Sequence, residues 1–247
     1  MKKNLLIFFY QLSFYLLLGL MLFLSFSNIR YSWNWPILWN YKEKFLSGWI
    51  LTLKISALSL ILSLFLGWLL LMGQRSLIIL KVFCQSWINL IRGTPLLVQI
   101  LIFFYVIANA AGFSDRFWLA IFILSNFSAA YIAEILRAAI EGIPQSQWDA
   151  AKALGLNKKQ TYTHVILPQL FKASLPALAG QFASIVKDSS LLSVIAVSEF
   201  TLSAQEVNSL TYSTLEAYIP LALGYLLITA PISWISHKIE MKLHYEA

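Results

Sequence analysis

Long apolar runs alternate with short polar interruptions along almost the whole chain. Five runs lie at residues 5–26, 46–72, 117–140, 173–197 and 217–235. A sixth combines an amphipathic stretch, 77–90, with an apolar helix that ends near residue 111. A helix needs about 20 apolar residues to cross a bilayer. The pattern therefore predicts an all-α integral membrane protein with about six transmembrane helices.

Three local features refine this prediction. Trp33, Trp35 and Trp39 flank Pro36, a composition typical of a segment at the lipid headgroups. The sequence Arg92-Gly93-Thr94-Pro95 predicts a break inside the 77–111 span. Small polar residues recur along the second span and favour close helix contact in lipid. They are Ser47, Thr52, Ser56, Ser59 and Ser63.

Composition excludes an ordinary soluble domain. The 247 residues are 59% hydrophobic and 12% charged, with a mean hydropathy of +0.72. The net charge of +7 indicates loop orientation in a membrane more than nucleic acid binding. The single cysteine, Cys84, excludes an internal disulfide and a thiolate metal cluster, and the three scattered histidines make a metal site improbable.

The distribution of basic residues predicts the orientation. With six crossings, most Lys and Arg side chains fall on one side, which is then the cytoplasmic side and holds both termini. The opposite side holds Glu199, Glu206 and Glu216 without basic partners, although Arg30, Lys42 and Lys44 are exceptions on that side. These carboxylates could favour a cationic substrate, or they could contact another protein.

A polar segment, 141–172, separates two spans on the predicted cytoplasmic side. Ser146 is expected to cap a short helix, with Asp149 three residues on and Gly155 closing it in a left-handed conformation. A second helix is expected from Asn157, with Gln160 completing its cap, to Pro168. Such short helices are marginal alone and favour a partner's groove. The alternative is a solvated connector, but roughly 30 residues is long for one.

The same segment resembles the "EAA" loop of membrane subunits of binding-protein-dependent ABC importers. The resemblance lies in Asp149-Ala150-Ala151, Gly155 and Val165-Ile166-Leu167-Pro168, with Asp149 in place of Glu and Val165 in place of Ile. Residues 92–99, 130–137, 166–169 and 187–191 resemble motifs of the polar amino acid branch. Together the motifs span roughly residues 46–235 and leave the first helix unexplained.

The resemblance implies the type I ABC importer permease fold, a five-helix core with an extra N-terminal helix. It divides the chain into an N-terminal helix and interfacial segment (1–45), a transmembrane domain (46–236) with a coupling loop (141–172), and a cytoplasmic tail (237–247). The implied ATPase-coupling residues are Ser146, Trp148, Asp149, Ala150, Ala151, Gly155, Leu167 and Pro168. Trp148 could fill an ATPase pocket or anchor at the membrane interface.

The resemblance also implies partners in a bacterial plasma (inner) membrane. These are two cytoplasmic ATPase subunits, a second permease copy or a sister permease, and an extracytoplasmic amino-acid-binding protein. ATP and Mg would bind the ATPase, and no cofactor is expected on this chain, which contains no G-x-x-x-x-G-K-[ST] phosphate-binding loop. The transported amino acid stays open.

Charged residues within the spans form a further candidate site. Lys187 and Asp188, followed by Ser189, lie about 15 residues into their predicted span, where burial of a charge is costly. They could line the substrate path or form a structural ion pair between helices. Glu134 and Arg137, three residues apart, are expected to pair with each other or brace the loop.

Two other classes of function fit the sequence less well. A secondary amino acid transporter would need an ion-coupling site and usually internal repeats. A membrane-embedded enzyme would need a convergent cluster of nucleophile, base or metal ligands. The sequence displays none of these features.

Overall fold

The computed structural model of the protein describes residues 2–27 and 31–245. All regular secondary structure in these residues is helical. Two compact units divide at Pro36 and Ile37. The first contains helix α1, Lys2–Ser27, which covers the predicted first span and exposes large apolar side chains between Phe9 and Leu24. Met1, Arg30 and the last two residues of the predicted tail lie outside the described residues.

The second unit is a helix bundle. Its helices are α2 (Pro36–Asn40), α3 (Lys42–Gln74), α4 (Ile78–Arg92), α5 (Leu96–Ile102), α6 (Arg116–Glu141), α7 (Gln145–Ala153), α8 (Lys158–Gln160), α9 (Leu167–Asp188), α10 (Phe200–Thr211) and α11 (Thr214–Tyr245). Three π-helical or 3₁₀ segments, Phe103–Ala108, Thr161–Ile166 and Ser189–Ile195, extend α5, α8 and α9. The predicted tail is thus helical as far as Tyr245.

Three helices in the described residues are long and apolar enough to cross a membrane: α3, α6 and α11. The α4–α5 pair becomes a fourth if its two bent parts form one span. The two parts meet at an angle of 108°, so the predicted break is confirmed. Helix α9 is less apolar, in agreement with its sequence. Together with α1, these elements occupy the six predicted segments.

The bend between α4 and α5 is held by one side chain. Gln99 is buried, and its Nε2 atom donates to the carbonyl oxygens of Ile91 (2.7 Å) and Thr94 (3.1 Å). Because Pro95 has no N–H to donate, carbonyls near the end of α4 lack their usual helical partner. The Gln99 amide replaces that partner.

The core of the bundle is the contact between α3 and α6. Thr52, Ser56, Ser59 and Ser63 all lie buried on one face of α3, as predicted, whereas Ser47 is exposed. The Ser125 hydroxyl donates to the Ser59 carbonyl at 3.2 Å. Small residues let two backbones approach closely in the absence of bulky side chains. This face therefore fixes the scaffold from which the 141–172 segment projects.

Candidate functional site

The polar segment begins with helix α7, and its start differs from the prediction. The helix begins at Gln145, one residue before Ser146, and Pro144 occupies the cap position with φ −56° and ψ 141°. No side chain caps the helix, so the predicted cap by Ser146 is wrong. Proline restricts the backbone at the entry and places Ser146 inside the first turn. Asp149 instead accepts a hydrogen bond from Gln145 Nε2 at 3.2 Å.

The end of α7 agrees with the prediction. Gly155 has φ +72°, its N–H donates to the Lys152 carbonyl at 3.0 Å, and the Leu156 N–H donates to the Ala151 carbonyl at 3.1 Å. These two bonds and the left-handed glycine form a Schellman motif, which satisfies carbonyls left over at a helix end. The motif fixes the length of α7.

Helix α7 has a buried face and an exposed face. Ala151 is 2% exposed, and the half-buried Trp148 packs against the apolar cluster that includes Leu71, Leu136 and Leu170. The Trp148 ring also meets Tyr162 edge to face, with 5.6 Å between the ring centres. Trp148 therefore attaches α7 to its own bundle.

The exposed face presents small and acidic side chains. Ser146, Asp149, Ala150 and Gly155 are all exposed, and Leu154 beside them is 78% exposed. Lys152 in the last turn of α7 is also exposed, so the surface carries one acidic and one basic side chain beside the projecting leucine. A surface built mostly from small side chains suits contact with another protein, because little side-chain freedom is lost on binding.

The second helix of the segment starts as predicted but continues further. Asn157 and Gln160 form a complete capping box, each bonding the other's backbone N–H at 2.9 Å. The helix does not end at Pro168, so that prediction is wrong: it passes through the π-helical turn Thr161–Ile166 into α9. A widened turn can accommodate the proline within a continuing helix.

Leu167 and Pro168 therefore begin α9. Leu167 is half-buried against the same apolar cluster as Trp148, whereas Pro168 is exposed. The next residue, Gln169, donates from Nε2 to Gln147 Oε1 at 3.2 Å. This bond ties α7 directly to the first turn of α9.

A network of ionic side chains lies where α6 approaches the segment. Arg137 pairs with Glu134, at 2.9 Å from Nε to Oε2, and also with Glu141, which confirms the predicted pair. Arg92 at the end of α4 lies 3.5 Å from Glu134 and packs over the Tyr131 ring. The network joins α4 to α6.

The predicted path residues lie at the break between α9 and its 3₁₀ extension. Lys187 is exposed and Asp188 is half-buried, and neither forms an ion pair with a described residue. The described residues therefore do not form the ion pair between helices that was the alternative role for Lys187 and Asp188. Ser189 is fully buried, and its hydroxyl donates to the Val186 carbonyl at 2.7 Å.

The carboxylates of the opposite side are engaged within the protein. Glu199 is fully buried, caps α10 through the Thr201 and Leu202 N–H groups, and accepts from the Tyr225 hydroxyl at 2.8 Å. Glu206 pairs at 2.6 Å with Lys44, one of the three basic residues that the sequence places on the same side. Folding brings the two residues together from distant parts of the sequence.

Two features of the site were missed by sequence reasoning. Tyr162 joins the α7 region to α3, since its hydroxyl accepts from Arg75 Nη1 at 3.2 Å across 87 residues of sequence. Lys54 is exposed within the α3 span. A single lysine in an apolar run is a signal for a functional position, because a charge there is costly.

Gly155 allows a local test of the Schellman motif. A Cβ at this position would meet no atom within 4 Å, so Gly155→Ala introduces only left-handed strain of about 1–2 kcal/mol. We expect hydrogen–deuterium exchange at the Leu156 amide to accelerate about fivefold to thirtyfold. Gly142→Ala is the matched control, because Gly142 ends α6 at φ −73°. Equal exchange in both variants would contradict the motif's role.

Apolar helices in a bundle with a short exposed helix at one end define a polytopic membrane protein. Residues 70–245 match the family described as "Binding-protein-dependent transport system inner membrane component", and the chain belongs to this family. The TcyB protein of Bacillus subtilis (strain 168), an L-cystine transport system permease protein, is 36% identical over 212 residues, covering 85% of this chain and 87% of TcyB.

Further relatives have related descriptions. The GlnP protein of Escherichia coli (strain K12), a glutamine transport system permease protein, is 34% identical over 85% of this chain and 97% of its own length. A solved structure described as "Crystal structure of an amino acid ABC transporter with histidines" matches with 32% identity and a TM-score of 0.80, over 86% of this chain and all of that chain.

A second solved structure supports the fold alone. The MetNI methionine ABC transporter in an inward-facing form matches with a TM-score of 0.64 and 18% identity, over 84% of this chain and 98% of that chain. The predicted fold class, that of a type I ABC importer permease, is confirmed by these matches. The chain is a transport permease and is similar to permeases of amino acid ABC transporters.

Proposed function

We propose that this chain is the permease subunit of an ATP-driven amino acid importer in a bacterial plasma membrane. The observation that supports coupling most directly is the geometry of α7. One face is attached to the bundle through Trp148 and Ala151, and the other exposes Asp149 and Ala150. A helix held on one face and open on the other can transmit the movement of a bound partner.

The partner on that face would be a cytoplasmic ATPase subunit, which would bind the ATP and Mg. The bond from Gln169 to Gln147 and the Trp148–Tyr162 contact connect α7 to α9. When the ATPases close, α7 would move with them, and α9 would follow because these contacts are short. The end of α7 would be fixed by Gly155, and the start of α9 by Leu167 and Pro168, so the two helices would move without changing their length or their angle. Ser146 contributes to the exposed face.

The translocation path would pass Lys187 and Asp188. Both lie at the point where α9 changes to a 3₁₀ helix, and interrupted helices at membrane depth are typical of substrate sites in transporters. A lysine and a carboxylate that form no ion pair with a described residue are suited to the two charged groups of an amino acid zwitterion. Ser189 would position this break from inside the bundle.

A second permease, either a copy of this chain or a sister subunit, would supply the other half of the path. An extracytoplasmic amino-acid-binding protein would deliver the substrate. The distribution of basic residues supports a cytoplasmic location for α7 and for both termini.

Reconstitution tests the proposed function. The permease, an ATPase and a binding protein from neighbouring genes are placed in proteoliposomes, and uptake of labelled amino acids is measured in competition. We expect uptake that requires ATP and the binding protein and is indifferent to ion gradients. Uptake driven by an ion gradient without ATP would instead support a secondary amino acid transporter.

A further inference from the structure

A polar cavity of about 570 Å³ lies beside Tyr162, the residue that packs against Trp148 of α7. Its lining comes from the end of α3, the start of α4, the end of α6 and the π-helical turn after α8. The lining includes three cations, one carboxylate and two neutral polar side chains, which are Arg75, Lys81, Arg137, Glu141, Gln74 and Tyr162. The proposed orientation puts this cavity at the cytoplasmic leaflet of the membrane.

An apolar groove of similar volume, about 570 Å³, adjoins the cavity between α3 and α4. Ser76 lines both spaces, so the polar cavity and the apolar groove meet at this residue. The groove is lined mostly by large apolar side chains, among them Leu69, Leu70, Met72, Leu80, Phe83 and Trp87. A charged cavity that continues into an apolar groove matches the charged headgroup and the apolar acyl chain of a phospholipid.

Two cations in the polar cavity are not neutralised. Arg137 is already paired with Glu134 and Glu141. Arg75 bonds only the neutral Tyr162 hydroxyl, and Lys81 has no ion-pair partner among the described residues. Basic pockets between membrane helices near the cytoplasmic side attract anionic lipid headgroups. The charge therefore favours a phosphate as occupant.

A buried acceptor in the same cavity indicates a hydroxyl beside the phosphate. Gln74 is 8% exposed, and its Oε1 atom has no hydrogen-bond partner among the residues that the structure describes. Buried polar atoms are nearly always satisfied, so an unpartnered acceptor calls for a donor from outside the chain. A glycerol headgroup supplies O–H donors next to its phosphate, whereas a choline headgroup supplies none.

We propose that this site binds an anionic phospholipid of the phosphatidylglycerol class. Its phosphate lies between Arg75 and Lys81, a headgroup hydroxyl donates to Gln74, and one acyl chain occupies the apolar groove. Arg75 also contacts Tyr162, which packs against Trp148, so the bound lipid is connected to α7 through these residues.

Native mass spectrometry of the full-length permease tests this proposal. The protein is purified from nanodiscs that contain equal amounts of phosphatidylglycerol and phosphatidylcholine, and retained lipids are counted. We expect about one phosphatidylglycerol per chain, with at least tenfold less retained by the Arg75→Gln/Lys81→Gln double variant. The control is Lys158→Gln/Lys159→Gln, which removes two exposed charges outside both cavities and should retain the lipid. Equal retention in both double variants would overturn the proposal.

Two further measurements separate the lipid from other occupants. Leu69→Trp fills the groove and should reduce retention without removing a charge, and it also serves if the double variant does not fold. Glycerol 3-phosphate, which has the headgroup chemistry but no acyl chain, should not displace the lipid. Displacement by this soluble anion, or unchanged retention in Leu69→Trp, would indicate a free-anion site. A groove covered by a second permease copy would give no retained lipid at all. Either result would contradict the proposal.

Discussion

ATP-dependent uptake is expected to fall at least tenfold when Asp149 is replaced by lysine. Asp149 is exposed on α7, and among the described residues its side chain bonds only Gln145, so the fold should tolerate the change. A like-charge or unpaired contact at a protein interface costs several kcal/mol, and a loss of about 1.4 kcal/mol already equals a factor of ten. Uptake and binding-protein-stimulated ATP hydrolysis are measured in proteoliposomes.

Lys159→Glu is the matched control for this prediction. It reverses a charge on an exposed side chain in the same segment but outside α7. We expect it to retain most of the uptake, while Asp149→Lys still inserts in the membrane and loses stimulated hydrolysis. If Asp149→Lys transported normally, α7 would not be the coupling element. If both variants failed equally, the effect would come from the charge of the whole segment.

Much of the scaffold could be predicted from the sequence because it depends on local composition. Apolar runs mark α3, α6 and α11 directly, since the length of a membrane helix is set by bilayer thickness. The small polar face of α3 was visible from its spacing, except for Ser47. The left-handed Gly155 and the Asn157–Gln160 box were also predicted, because both depend on residues within one turn.

The failures have two different causes. Ser146 does not cap α7 because the helix starts one residue earlier, and the geometry set by Pro144 decides that start. Pro168 does not end its helix because the π-helical turn Thr161–Ile166 precedes it and accommodates the proline. The first failure is therefore a shift of one residue in a helix start, and the second is a change of helix type that the spacing of the residues does not reveal.

The contacts that attach the candidate coupling helix could not be predicted. The bond from Arg75 to Tyr162 joins residues 87 apart, and the bond from Gln169 to Gln147 joins residues 22 apart. No periodicity or spacing connects such pairs, because only the folded bundle brings them together. The direction of Trp148, toward its own bundle, follows from the same packing.

Gly67→Ala is expected to destabilise the bundle by about 1–3 kcal/mol, the usual cost of overpacking a filled core. A Cβ at this position would lie 2.7 Å from Ile132 Cγ2 and 3.1 Å from the Ala129 carbonyl oxygen. Ile132 is fully buried, so its methyl group has no free space, and the carbonyl belongs to the backbone of α6. The two central helices must move apart to accept one methyl group. Thermal unfolding in detergent measures the effect.

Gly180→Ala provides the same chemical change in another helix of the bundle. A Cβ at Gly180 would meet no atom within 4 Å, so the substitution adds no contact and removes a flexible residue from α9. Alanine is favoured over glycine in helices by up to about 1 kcal/mol, so the melting temperature should stay the same or rise. Gly67→Ala should therefore lower the melting temperature, whereas Gly180→Ala should not. A Gly67→Ala variant as stable as Gly180→Ala would mean that close approach of α3 and α6 does not hold this bundle together.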